Sequence, residues 1–185
     1  MKKIIMFAAM AMLSIAASAQ AKFAIVDFNE LVMLAPEADA ARAQMAAASK
    51  EAQDALTSIQ EEGQAKLAEY QQKSATWSPA IKESKEKELN DISNRMAEFQ
   101  QSVQVELQQQ QQELMAPIYQ KAEETVQKLA KEGGYAIVFD TTQYVFADKS
   151  LVKDLTPDAR KAMGIPEGRT IEDLQKELAA QQQAQ

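Results

Sequence analysis

The 185-residue chain contains no cysteine and no histidine. Without cysteine the protein must be stable with no disulfide. The two absences together remove every Cys- or His-based nucleophile and every metal site built on those ligands. Glycine and proline are scarce, five of each, so the chain has few places to turn. No Gly-rich phosphate loop, nucleophile elbow or metal-ligand spacing occurs. Basic residues are in the minority, 20 Lys and Arg against 27 Asp and Glu. That balance argues against nucleic acid as a partner, because phosphate binding needs a basic footprint. No catalytic residue, metal or cofactor is expected.

What is present begins with Lys2 and Lys3, the apolar run "IIMFAAMAMLSIA" and the small residues "ASA". This order predicts a secretory signal peptide over residues 1–19, cleaved after a site carrying Ala17 and Ala19. The run is too short for a retained membrane anchor. The mature chain is therefore expected to begin at Gln20, to span no membrane and to work outside the cytoplasm. Removing the two lysines leaves 18 basic residues against 27 acidic ones, a net of −9.

From Pro36 to Gly133 the chain is dominated by Ala, Glu, Gln, Lys and Leu, all good helix formers. Leu34, Ala38, Ala41, Met45, Ala48, Ala52, Leu56 and Ile59 recur at steps of four and three. Leu89, Ile92, Met96, Phe99, Val103 and Leu107 do the same. Each series is a narrow apolar stripe of coiled-coil type. The break at "SATWSP" (Ser74 to Pro79), with Ser78 as N-cap and Pro79 as first helical residue, predicts an antiparallel hairpin with its tip near Trp77. The outgoing arm would reach about 60 Å. Pro117 interrupts the return arm and is expected to bend it, as a hinge or as a static kink.

Outside the arm, "KFAIVDF" (Lys22 to Phe28) alternates like a strand, and Asn29 is the expected cap of a short helix over 30–34. "GYAIVFDTTQYVFAD" (Gly134 to Asp148) reads as two strands of a hairpin, which strand 22–28 would join. Asp27, Asp140, Asp148 and Asp154 are expected at strand ends and turns. Thr156, Pro157 and Gly164 bracket one short helix, and Thr170 with Asp173 open a last one over 171–181. Three short strands with both faces apolar, no disulfide and no metal are too little for a self-sufficient core. Copies of the chain are therefore expected to complete it through Phe23, Ile25, Val26, Tyr135, Ile137, Val138, Phe139, Val145 and Phe146.

The fold class expected is α+β: a small oligomeric β-body over 20–35 and 133–156, one helical hairpin arm per subunit over 36–132, and a helical extension over 157–185. The segments "FAIVDFNELV", "ELMAPIYQKAEETVQKLAKEGGYAIVFD" and "DLT", in this order around long helices and behind a signal peptide, resemble the Skp/OmpH family of periplasmic chaperones. The resemblance covers Lys22 to about Thr156. It implies a homotrimer whose arms hold unfolded outer-membrane proteins in the periplasm without ATP, preventing their aggregation. Met45, Leu56, Ile59, Trp77, Met96 and Phe99 are then the candidate client contacts and Pro117 the candidate arm hinge. The best-known members are basic, whereas this mature chain is acidic, so neither charge-driven capture nor a lipopolysaccharide site is carried over. The alternative from a different class is a coiled-coil spacer or scaffold of the cell envelope.

Overall fold

The computed structural model describes residues 21–183; the expected signal peptide, with Ala17 and Ala19, lies outside the described residues. The elements in chain order are β1 (Lys22–Val26), α1 (Phe28–Leu34), α2 (Pro36–Lys73), a short 3-10 turn (Ser74–Thr76), α3 (Pro79–Gly133), β2 (Tyr135–Asp140), β3 (Lys153–Asp154), α4 (Thr156–Met163) and α5 (Ile171–Gln183). They divide into two compact units. One holds the described residues up to Met33 with those from Lys121 onward, the other Leu34 to Gln120. The boundary falls inside α3, three residues past Pro117.

The unit of residues 34–120 is the expected antiparallel hairpin of helices. Pro36 opens α2 at its first turn, where a missing N–H costs nothing. Pro79 does the same for α3, whose Ile81 and Lys82 amides bond the Ser78 hydroxyl at 3.4 Å and carbonyl at 3.0 Å. Ion pairs link the two helices: Lys66 with Glu88 at 3.0 Å, and Arg95 with Glu62. Gly63 faces Ile92 across the hairpin, and a Cβ at Gly63 would lie 3.3 Å from the Ile92 Cγ2. α3 continues through Pro117, where the ring leaves the Glu113 carbonyl without its helical donor.

The other unit carries a three-stranded sheet in the order β2-β1-β3. β1 is central and both pairings are parallel, with Ile25 opposite Phe139 on one side and Asp154 on the other. Parallel neighbours need long crossovers, which the helical hairpin supplies on one side. Strand 22–26 is thus the expected neighbour of 135–140, but the expected hairpin over 134–148 is not formed. Asp140 ends β2 in a turn: its carboxylate accepts bonds from the Thr142 amide (2.8 Å) and hydroxyl (2.6 Å). Asp148 repeats the motif with Ser150. The segment between them has a strand-like alternation but forms no strand among the described residues, and the third strand comes later, at Lys153–Asp154.

Two caps also differ from expectation. Asp27 rather than Asn29 caps α1, accepting the Glu30 amide at 2.8 Å, so the helix starts at Phe28. Thr156 is the first residue of α4 rather than its cap. Its amide bonds the Asp154 carboxylate, while its hydroxyl accepts the Asp27 amide at 2.9 Å. Gly164 ends α4 in the left-handed region (φ 74°), with amide bonds back to the Arg160 and Lys161 carbonyls. Thr170 and Asp173 form the expected reciprocal cap of α5. The core of this unit gathers Ala24 and Val26 from β1, Leu31 and Val32 from α1, Ala159 and Met163 from α4, and Leu174 from α5.

Candidate functional site

The two faces of the sheet are treated unequally. Side chains alternate across a strand, so Ala24 and Val26 share one face and are buried. On the opposite face Phe23, Ile137 and Phe139 remain 39%, 47% and 40% exposed, although the Phe23 and Phe139 rings lie 6.2 Å apart. The loop after β2 extends beside this face and encloses an open groove of about 920 Å³ with it. Ile25, Tyr135, Tyr144, Phe146 and Leu151 line the groove with the two phenylalanines. Val145 is fully exposed and Phe146 is 82% exposed. Of the nine residues expected to make the oligomer core, Ile25 and Val26 are thus already buried in the single chain. Tyr135 and Val138 are half-buried, and the remaining five are exposed.

The hairpin of helices presents a second apolar surface. Met45, Leu56, Ile59, Met96 and Phe99 all lie half-buried along the stripe. Leu56 and Phe99 meet on the seam between the helices, and there the seam is not filled. Ala48, Ala52 and Ala55 on α2 meet Phe99, Val103 and Leu107 on α3, and an open groove of about 220 Å³ remains there. A second groove, about 260 Å³, flanks the same seam and adds Leu56. The cause is side-chain size: alanines opposite large residues leave volume that tight packing would close. Trp77 is not on the seam; its ring packs edge-on against Tyr70 at 5.7 Å.

Charges around the tip are mutually engaged. Glu88, bonded by Lys66 and Lys85, is held below the usual carboxylate range, and Lys66 is raised in turn. The Tyr70 phenol donates to Glu86, which raises its pKa. In the other unit Asp27, Asp140 and Asp154 converge on the C-terminal ends of the three strands. Burial, then the Asp140 charge, pushes the Asp27 carboxyl up; a bond to Thr141 opposes this. Each of the three carboxylates caps a neighbouring amide, which is a structural task. Among the described residues no group of three or more acidic side chains is placed to hold a metal ion. No helix among them is long and apolar enough to cross a membrane.

Sequence reasoning missed the ion pair of Glu30 with Arg160, 130 residues apart. Arg160 also donates to the carbonyls of Pro166 (3.0 Å) and Arg169 (2.7 Å). A lone Arg in a short helix gives no signal of such long-range partners.

Residues 22–163 match the sequence model of the family described as outer membrane protein (OmpH-like). A search of the curated proteins finds no match. Among solved structures, the fold is similar to that of a chain from Caulobacter crescentus CB15 assigned as an outer membrane chaperone (OmpH-like). The TM-score is 0.69 at 16% identity, over 84% of this chain and 91% of that one. At that identity the likeness speaks for the fold alone, and residues 164–183, with α5, lie beyond the family match.

Proposed function

Because this chain belongs to the OmpH-like outer membrane protein family, we propose that it is a periplasmic chaperone, an ATP-independent holdase for unfolded outer-membrane proteins. The observation that carries this reading is the unfilled apolar seam of the helical hairpin, running from Ala48 to Leu56 against Phe99 to Leu107. A holdase for clients of no fixed shape needs shallow, adaptable apolar surface rather than one sharp pocket. Binding alone then shifts the client away from aggregation by mass action. A spacer or scaffold, which only spans distance, would be served better by a filled seam.

The proposal includes a homotrimer. A sheet of three short strands with Phe23, Ile137, Phe139 and Phe146 exposed leaves apolar area that water disfavours by about 25 cal/mol per Å². Copies of the chain would cover it, with residues 20–35 and 133–156 as the assembling body and residues 36–132 as the arm. The signal peptide and export to the periplasm belong to the same reading, and no covalent chemistry is involved.

The test is to measure the mass of the mature protein by light scattering, alone and with a urea-denatured barrel protein diluted into it. A trimer that keeps the barrel protein from scattering light, without nucleotide, is the expected result. Undiminished aggregation at excess trimer, or a single stoichiometric folded partner recovered instead, would reverse the reading.

A further inference from the structure

The apolar seam is set in a one-sided field of charge. From Met96 to Glu113, α3 carries Glu98, Glu106 and Glu113 and no Lys or Arg. The segment it faces, Met45 to Ile59, adds Glu51, Asp54 and Lys50. The single cation is committed to Asp54 at 2.6 Å, and Glu113 accepts a bond from Gln109 at 2.8 Å. Glu51 and Glu106 stand directly on the rim of the groove between Ala52 and Phe99. Glu106 and Glu98, with Gln101, Ser102 and Gln109, also surround Val105, which is 62% exposed. The tip differs: from Lys66 to Glu88 five lysines mix with four glutamates.

We infer that the middle of the helical hairpin is a docking groove for extended polypeptide segments that carry large apolar side chains flanked by Lys or Arg. A groove of about 220 Å³ has room for an aromatic ring, since an apolar cavity of about 150 Å³ takes up benzene. The carboxylates on its rim then meet the cation beside that ring. Next to low-dielectric walls such pairs count for more than in open water. The charge also decides against a second copy of this hairpin as occupant, because that would set five carboxylates against five. The inference rests on the holdase reading and adds to it a selection rule: among unfolded chains, basic-apolar segments are held first.

Two fluorescent twelve-residue peptides with identical alternating apolar residues, one with Lys and one with Glu between them, are titrated into the full mature protein. The Lys peptide should bind at least about tenfold more tightly at low salt. The preference should fade as salt shortens the screening length. The triple variant Glu51→Gln, Glu98→Gln, Glu106→Gln should lose it while keeping its helix content. A control with the same change of charge elsewhere, Glu132→Gln, Glu167→Gln, Glu172→Gln, should retain it. Ala52→Leu, which fills the groove, should weaken both peptides. Equal binding of the two peptides, a preference that survives the first triple variant, or one lost equally in the control would overturn the inference. Suppression of barrel-protein aggregation, measured in parallel, reads the holdase proposal separately: wild type that selects the Lys peptide without suppressing aggregation would sink that proposal and leave this one standing.

Discussion

Arg160 in α4 reaches the Glu30 carboxylate in α1 across 130 residues of sequence, with both side chains largely buried (17% and 24% exposed). The same guanidinium donates to the carbonyls of Pro166 and Arg169. One cation thus joins α1, α4 and the loop that leads into α5, where it bonds two loop carbonyls.

Arg160→Ala is therefore expected to cost about 2–4 kcal/mol, more than Glu30→Gln, because it strands a largely buried carboxylate and removes the side-chain donor of the Arg169 carbonyl. Urea unfolding of both single variants and the double variant gives the coupling. Amide exchange in α5 should accelerate in Arg160→Ala; unchanged exchange there would mean that the loop contacts do not hold the last helix in place.

Gly63 and Ile92 face each other across the two helices, with 3.3 Å left for an added Cβ. Gly63→Ala should be near neutral, since a gain of about 1 kcal/mol in helix propensity offsets a slight push on Ile92. Gly63→Leu cannot be accommodated by that shift and should cost about 1–3 kcal/mol. Equal stability of the two variants would show that the helices separate freely at this point.

The Asp27 carboxyl is held above its ordinary value of 3.8, chiefly by burial and then by the Asp140 charge. A group raised by folding contributes stability that is present below its unfolded pKa and is lost as pH rises through the folded one. Asp27→Asn keeps an oxygen for the Glu30 amide and removes the charge. The variant's Tm should gain on wild type as pH rises from about 3.8 toward neutrality. A difference that does not change with pH would place Asp27 in a better-solvated site than its neighbours imply.

Pro117 lies inside α3, where proline is about 3 kcal/mol less favourable than alanine. Pro117→Ala should raise the urea midpoint of the helical unit. If the residue serves as a hinge, the same variant should hold fewer sizes of client in the aggregation assay. Greater stability with unaltered client range would make it a static kink.

Much of this architecture is legible in the sequence because the helical signal is long. Both arms come out within a few residues of Pro36–Lys73 and Pro79–Gly133, since proline at each start and a sustained step of three and four leave one period to fit. The reciprocal cap at Thr170 and Asp173 is equally local. The segment 143–147 misleads for a physical reason. "YVF" alternates as a strand does, but a strand exists only against a neighbour, and the order β2-β1-β3 is settled by contacts more than a hundred residues apart. The grooves beside Phe99 needed coordinates, because the stripe reveals which residues face each other but not how much space alanine leaves.

The placement of β1 in the middle of its sheet bears on how the chain comes to be folded. β1 is made before both of its neighbours, which lie beyond the helical hairpin, and Asp27 finds Thr156 only 129 residues on. The hairpin can zip from its own tip with local contacts, while the sheet must wait for a slow closure over a long loop. Until then a strand with two unsatisfied edges is open to any other polypeptide emerging beside it. The protection the chain needs first is thus for its own β1 edge, until β2 and β3 close on it.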